Sequence, residues 1–337
     1  MTKVIARAPT RVDLAGGTLD LWPISLLEEG ARTVNAAVDL EASARIIPRG
    51  DSLIRIQSRD QGAEEVYPRL SEVRTGGRLG FMARLVKELP PATGIDLVTD
   101  CAAPSGSGLG GSSALGIAAG AALARFRGEE IAPEKLLGLV QAVETQVLRV
   151  PTGVQDYYPA LLGGVLAIRY SVRGTRAEEI PVDLARLQDR LVLCFSGVSR
   201  SSGVSNWDML KRYLDGDPPV VEGIGRVVEA TRHMEAALRN GDVDGAAAAL
   251  SEEWEARKTL SPKVSNLEIE SQMEAARAAG ALSGKVCGAG GGGCIIFFVR
   301  PGCRDAVQQA LESRGARVLP CRLRREGLKL ETAPNAR

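Results

Sequence analysis

The sequence predicts an α+β protein of two domains, and three observations carry that expectation. The chain has 337 residues, more than one hydrophobic core usually organises. Its first 60 residues alternate in the manner of strands, and helical periodicity then takes over much of the middle. The C-terminal end returns to a strand–helix–strand alternation, which suits a ferredoxin-like half.

The elements follow in order. Strands are expected over residues 3–7, 32–37, 42–47 and 53–57, with Gly16-Gly17, Gly30 and Gly50-Asp51 as turns. A helix over 79–89 ends at Pro90-Pro91, and a strand over 95–98 leads into a Gly-rich stretch. Helices are expected over 113–126 and 133–148. Pro133 near a helix start, with Leu136, Val140, Val143 and Val147 along one face, supports the second. A strand over 165–168 follows Gly163-Gly164. The polar stretch 173–186 is the expected boundary, giving domains of 1–180 and 187–332. The second half opens on an apolar, buried-type strand over 191–195. Helices over 205–214, 219–240, 242–258 and 264–279 come next, then a strand over 294–299, a helix over 304–314 and a strand over 317–323. Neither an internal repeat nor a low-complexity segment is present.

Hydrophobic residues make up 45% and charged residues 25% of the chain, as in ordinary globular proteins. The formal net charge is +1 and no basic or acidic tail exists, which argues against nucleic acid or a membrane surface as partner. No apolar run approaches the roughly 20 residues that cross a bilayer. The chain runs directly into its first expected strand without a signal-peptide apolar region, so a cytoplasmic location is expected. Six cysteines (Cys101, Cys194, Cys287, Cys294, Cys303, Cys321) lack CxxC spacing, and His233 is the single histidine. That pattern fits reduced core cysteines better than a zinc site. With histidine so scarce, any general base is expected to be a carboxylate.

Residues 104–114 read Pro-Ser-Gly-Ser-Gly-Leu-Gly-Gly-Ser-Ser-Ala, and a helical pattern follows. A Gly-rich turn that feeds a helix start presents unpaired backbone N–H groups and partial positive charge to one point, which suits a phosphate. Ser112 and Ser113 can cap the helix or ligate a phosphate-bound Mg²⁺. The plainer alternative is a flexible loop with a serine cap. The stretch is not a Walker A motif, because no lysine lies between Lys87 and Lys135. It is not a dinucleotide fingerprint either, since no Gly-x-Gly-x-x-Gly follows the first strand.

Two more segments complete the pattern. Residues 8–20 read Ala-Pro-Thr-Arg-Val-Asp-Leu-Ala-Gly-Gly-Thr-Leu-Asp, and residues 284–294 read Gly-Lys-Val-Cys-Gly-Ala-Gly-Gly-Gly-Gly-Cys. With the central loop these resemble, in order and spacing, the three signature motifs of the GHMP kinases (galactokinase, homoserine kinase, mevalonate kinase, phosphomevalonate kinase). The resemblance spans nearly the whole chain. It implies an N-terminal ATP-binding α/β domain and a C-terminal ferredoxin-like domain, with nucleotide and substrate bound between them.

Phosphoryl transfer needs a phosphate cradle, a metal and a group that positions or deprotonates the acceptor hydroxyl. The resemblance implies ATP and Mg²⁺ as cofactors. The cradle is then Pro104, Gly106, Ser107, Gly108, Leu109, Gly110, Gly111, Ser112 and Ser113, with one glycine more than the family's Gly-Leu-Gly-Ser-Ser-Ala form. Matching the Ser-Ser-Ala end makes Ser113 the metal-linked serine. Glu144 and Asp156 stand 12 residues apart, as do a helix-borne Glu and a loop-borne Asp in sugar kinases of the family. By that likeness Glu144 shares the metal with Ser113, and Asp156 is the catalytic base. Composition alone would leave both as solvated surface acids. The likeness also sets Arg11 beside the catalytic Asp, where it can stabilise charge on the transferring group. An exposed strand residue is the alternative there.

Asp20 lies nine residues after Arg11, as does a galactokinase Asp that binds sugar hydroxyls, but Gly17-Thr18 replaces that enzyme's Glu-His. The Ala15-Gly16-Gly17 form of the first motif resembles instead the heptose 7-phosphate kinases and fucokinases, which act on the anomeric hydroxyl. Substrate contacts are expected from Asp20, Gly17, Thr18, Gly290 and Gly291, and from Arg200 as a candidate for a substrate phosphate. Lys285 is expected on a strand surface. The expected activity is ATP-dependent phosphorylation of a sugar or sugar phosphate to a sugar 1-phosphate. A kinase for a small alcohol such as mevalonate, or a non-catalytic sensor on the same fold, is the alternative. The partner is then a small molecule, neither nucleic acid nor membrane, and a homodimer is left open.

Overall fold

A computed structural model of the chain describes residues 2–197 and 203–334. In chain order the first half comprises β1 (Thr2–Ala15), α1 (Ile24–Leu27), β2 (Arg32–Pro48), β3 (Ile54–Ser58), β4 (Ala63–Tyr67), α2 (Gly80–Glu88), β5 (Ile95–Cys101), α3 (Gly111–Phe126), α4 (Pro133–Leu148), α5 (Tyr157–Leu162), β6 (Val165–Ser171) and β7 (Gly174–Glu179). The second comprises α6 (Leu184–Asp189), β8 (Leu191–Phe195), α7 (Gly203–Leu214), α8 (Pro218–Arg239), α9 (Val243–Leu260), α10 (Leu267–Ala278), β9 (Ala281–Val286), β10 (Cys294–Val299), α11 (Arg304–Ser313), β11 (Arg317–Val318) and β12 (Lys329–Pro334).

The first sheet runs β12-β1-β2-β5-β3-β4, with β6 and β7 continuing from β2. Residues 32–37 and 42–47, expected as two strands, form the single strand β2. Its C-terminal part pairs with β5 (Ala42↔Cys101 to Pro48↔Ile95) and its N-terminal part with β6 (Arg32↔Arg169 to Ala36↔Val165). β1 pairs along both parts and carries the strand through residues 39–41. The β1–β2 register shifts between Ala8 and Thr10 and again between Asp13 and Ala15, as at β-bulges.

Helix α3 is apolar on every side because it lies between this sheet and α4. Its glycines are a matter of clearance. A Cβ on Gly116 would stand 2.5 Å from Val140, and one on Gly120 would stand 2.8 Å from Leu136. Small residues let α3 sit close to its neighbours, which offsets the roughly 1 kcal/mol that each helical glycine costs. The expected face of α4 is buried at Leu136, Val140 and Val143, whereas Val147 is 40% exposed as the helix runs out beyond its neighbours.

The second sheet runs β11-β8-β10-β9, entirely antiparallel, and packs on α10 and α11. The two halves share one core. Val12 and Leu14 of β1 pack in the same cluster as Leu193, Met234, Leu250, Ile296 and Phe298.

Some elements escape the sequence pattern. β7 (GTRAEE) and β12 (KLETAP) are short, largely exposed and without apolar alternation. β7 occupies part of the polar stretch read as a connection, and β12 returns to pair with β1 from Thr2↔Pro334 to Arg7↔Lys329. The expected strand over 317–323 shortens to two residues. The Leu319 N–H still donates to Leu193 O of β8 at 2.9 Å, and the chain then reaches the first sheet as an isolated bridge between Val38 and Leu323.

Candidate active site

The three sequence motifs meet at one place. Gly110, at φ +71°, caps α3, and the first helical bond runs from the Ala114 N–H to the Gly110 carbonyl. The N–H groups of residues 111–113 therefore lie before the helical ladder, where helix geometry leaves donors over. The loop is pinned from both sides. The backbone N–H of Arg11 donates to Leu109 O at 3.0 Å, and the Arg11 guanidinium donates to Gly108 O at 2.5 Å. From the third motif, the Cys294 N–H donates to Ser107 O at 2.7 Å. A Cβ on Gly108 would stand 2.4 Å from the Cys287 carbonyl oxygen, so only glycine fits that contact.

A cavity of about 420 Å³ opens over this junction. The whole 104–113 loop, Arg11, Thr18, Asp20, Glu144 and Asp156 line it, together with Gly288 and Ala289 of the third motif. Its far end is walled by Ser58, Asp60, Leu79, Met82 and Thr99.

Glu144 and Ser113 are brought together by the packing of α4 on α3. Ser113 Oγ donates to Glu144 Oε2 at 2.9 Å, and the buried Tyr157 hydroxyl donates to the same oxygen at 2.6 Å. Burial raises the Glu144 pKa above the usual carboxylate range, although hydrogen bonds from Ser112, Tyr157 and Ser113 oppose it. A carboxylate and a hydroxyl at the mouth of a phosphate-sized cradle are hard oxygen donors. They fit Mg²⁺, which keeps waters and takes one or two carboxylates. The cradle itself, with glycines where a Cβ would intrude and helix-start donors beneath, fits the phosphates of ATP.

Asp156 precedes α5. Its Oδ1 accepts from Arg11 Nε at 2.9 Å and from Arg11 Nη2 at 2.5 Å. Burial works against the Arg11 charge, but Asp156 and Asp13 outweigh it and raise the pKa further. Asp20 stands nearby. The Gln155 backbone N–H donates to its Oδ2 at 3.1 Å, and Gln155 Nε2 donates to its Oδ1 at 3.4 Å. The fit is close enough that a Cβ on Gly153 would lie 1.7 Å from Asp20 Oδ2. Burial, and then the charge of Asp156, push the Asp20 pKa up to about 6.

Beneath Asp20 lies a cluster that the sequence pattern does not announce. Lys285, expected on a strand surface, is fully buried, with Nζ 2.9 Å from Asp13 Oδ1 and 3.0 Å from Glu253 Oε1. The reason is its strand: β9 packs against α9, so this face of β9 points inward, towards β1. Arg257, also buried, pairs with Glu253 one helical turn away. It donates through Nη1 to Thr18 Oγ1 at 3.0 Å and through Nη2 to Gly17 O at 2.5 Å. Burial alone would raise the Asp13 pKa, but Lys285, Arg257 and Arg11 outweigh it and lower it. Two acids and two bases thus balance in the interior. The only local signal was a Glu–Arg pair at i,i+4, which ordinarily marks a solvated helix face.

The remaining expected residues are placed less directly. Gly17 backs onto Arg257 and stands outside the cavity lining, while Thr18 and Asp20 face it. Gly290 and Gly291 pack against the Val264 backbone, and Gly288 and Ala289 take the cavity wall instead. Arg200 lies outside the described residues. Gln155 and Tyr157, neighbours of Asp156 in sequence, complete the site without having been singled out by residue type.

Both halves of the chain resemble known kinase domains. The GHMP kinase N-terminal domain model matches residues 78–164, and the GHMP kinase C-terminal model matches residues 234–317. The chain is 28% identical to D-glycero-alpha-D-manno-heptose 7-phosphate kinase of Campylobacter jejuni over 98% of this chain and 99% of that protein. It is 25% identical to the mevalonate kinase of Thermococcus sibiricus over 98% of each. A crystal structure of a D-glycero-D-manno-heptose 1-phosphate kinase from Bacteroides thetaiotaomicron shares the fold at a TM-score of 0.79 and 23% identity, covering 98% of this chain and 100% of that one. No helix among the described residues is long and apolar enough to cross a membrane.

Proposed function

This chain belongs to the GHMP kinase family of ATP-dependent kinases, and from that premise we propose that its acceptor is a sugar or sugar phosphate, of the heptose 7-phosphate kind, phosphorylated on the anomeric hydroxyl. The observation that carries the reading is the charge of the acceptor end. Asp20 and Asp156 both face the cavity, and Arg11 is already paired with Asp156. An anionic group held against these two acids is disfavoured, since a like charge at about 4 Å costs roughly 4 kcal/mol at the effective dielectric of a protein surface, so the hydroxyl-bearing end of the acceptor faces them and any acceptor phosphate lies away from them. Sugar hydroxyls donate to Asp20, which is ionised above about pH 6. The likeness to a heptose 7-phosphate kinase points the same way.

In this reading the 104–113 loop holds the triphosphate of ATP, and Ser113 with Glu144 holds Mg²⁺. Bound between Ser113 and Glu144, Mg²⁺ would supply charge neutralisation for the phosphates. Asp156 takes the proton of the acceptor hydroxyl as its oxygen bonds the γ-phosphorus and the bond to ADP breaks. Arg11 orients Asp156 and supplies positive charge beside the transferring group. Thr18 and Asp20 hold the acceptor. The anomeric hydroxyl is more acidic than other sugar hydroxyls, which suits a carboxylate base.

The test is an ATP-coupled assay on D-glycero-D-manno-heptose 7-phosphate, D-mannose, L-fucose and mevalonate, followed by phosphorus NMR of the product. An anomeric phosphate, coupled to the anomeric proton, is expected. Phosphate on a primary hydroxyl, or turnover with mevalonate alone, overturns the sugar 1-kinase reading.

A further inference from the structure

The turn over residues 16–20 carries a backbone conformation that its own sequence does not favour. Thr18 sits at φ +86°, in the left-handed region that β-branched residues adopt only when their surroundings enforce it. Two turn bonds, from Leu19 N–H to Gly16 O and from Leu21 N–H to Thr18 O, close the loop but leave the Thr18 side chain and the Gly17 carbonyl to be placed. Arg257 places both. One arm of its guanidinium reaches Thr18 Oγ1 and the other reaches Gly17 O, while Nε donates to Glu253 Oε1 at 3.1 Å. Glu253 is held in turn by Lys285 and also accepts from the Gly16 N–H at 3.3 Å. Thr18 and Asp20 line the cavity; Arg257, 1% exposed, does not.

We propose that Arg257 is a positioning residue for acceptor recognition: its planar fork locks Thr18 in the left-handed conformation and thereby sets where Thr18 and Asp20 meet the sugar. This rests on the acceptor reading above. A guanidinium can satisfy the carbonyl, the hydroxyl and the carboxylate at once because its donors diverge in one plane, whereas an ammonium is a point donor on a flexible stem. Neither the phosphate cradle nor the metal residues touch Arg257, so its influence falls on the acceptor and not on ATP.

Steady-state kinetics of the wild type, Thr18→Val, Arg257→Lys and the double variant test this, with heptose 7-phosphate as acceptor, or L-fucose if that is the panel sugar turned over. Loss of a charge-assisted hydrogen bond is expected to raise the acceptor KM about tenfold in each single variant, with the ATP KM within about twofold of wild type. The double variant should be worse than Arg257→Lys by clearly less than the full Thr18→Val effect, since the two changes share one interaction while valine also removes the hydroxyl that faces the acceptor. Thr18→Val leaves every buried ion paired, so it reports even if Arg257→Lys does not fold. A parallel rise in both KM values, a fall in kcat with both KM values unchanged, or additive effects would show a merely structural role and overturn the proposal. A wild type that turns over no panel sugar overturns the acceptor reading and this inference together. Sugar turnover with an unchanged acceptor KM in Thr18→Val overturns this inference alone.

Discussion

The end of the cleft proposed for phosphate is made from one continuous stretch of backbone, residues 104–113, closed by glycines and the start of α3. The end proposed for the acceptor depends on side chains far away in the chain: Thr18 is held by Arg257, 239 residues on, and Asp20 by Gln155, 135 residues on. The phosphate end offers unpaired backbone donors and needs little beyond the right local conformation. The acceptor end keeps four charged groups out of water, where breaking one pair strands its partner at a cost of about 3–5 kcal/mol.

The largest effect is expected where the two ends join. Asp156 touches Arg11, which in turn holds the loop at Gly108. Asp156→Asn should lower kcat by about 10²–10⁴ as a positioned base is lost, with ATP binding by calorimetry nearly intact. Comparable turnover in the variant removes Asp156 as the base. Next in size, Glu144→Gln and Ser113→Ala should raise the Mg²⁺ half-saturation about tenfold or more while leaving the acceptor KM alone. Unchanged Mg²⁺ titrations in both variants would break the assignment of the metal to the phosphate end.

Asp20→Asn tests the acceptor end alone. It should raise the acceptor KM about tenfold, and in the wild type acceptor affinity should fall as pH drops through about 6. The stability effect has the opposite sense. Because burial, and then Asp156, raise this pKa from 3.8 to about 6, the folded chain holds a proton that the unfolded chain has released in that window. Wild-type stability is therefore lost as pH rises from about 4 to 6, and the variant escapes the loss. Thermal melts should show the variant above the wild type at pH 8 and equal to it near pH 4. A variant less stable at pH 8 contradicts the assigned environment.

The smallest effect on catalysis is expected from Gly116→Ala, on the buried face of α3 against Val140. Overpacking should cost about 1–3 kcal/mol in denaturant melts with both KM values unchanged. A changed ATP KM would mean that the cradle depends on distant packing as much as the acceptor turn does.

Legibility in the sequence follows the same division. The cradle, α3 and α4 could be read because their signals lie within a few residues: glycines before a helix, and apolar spacing along one. Glu144 and Asp156 could be named only through resemblance, since nothing local distinguishes a buried carboxylate from a solvated one. Lys285 was misread for the same reason. In a strand with both faces covered, alternation no longer separates surface from core, and Lys285 is buried because Asp13 and Glu253 come to meet it. The exposed strands β7 and β12 left no pattern because the energy that forms them is backbone pairing to a neighbour already in place.

By itself, the sequence determined what short-range chemistry determines: a two-part α+β chain, a glycine-rich turn that opens a helix, the scarcity of histidine that leaves carboxylates as the available bases, and the order of three motifs. The tertiary structure alone decided which charges are buried and paired, that the third motif meets the first through Lys285 and Asp13, and that burial raises the Asp20 pKa to about 6. The physical reason is range. Backbone conformation responds to its immediate neighbours, whereas the solvation and pairing of a charge depend on everything within several ångströms in space, and those neighbours come from the whole length of the chain.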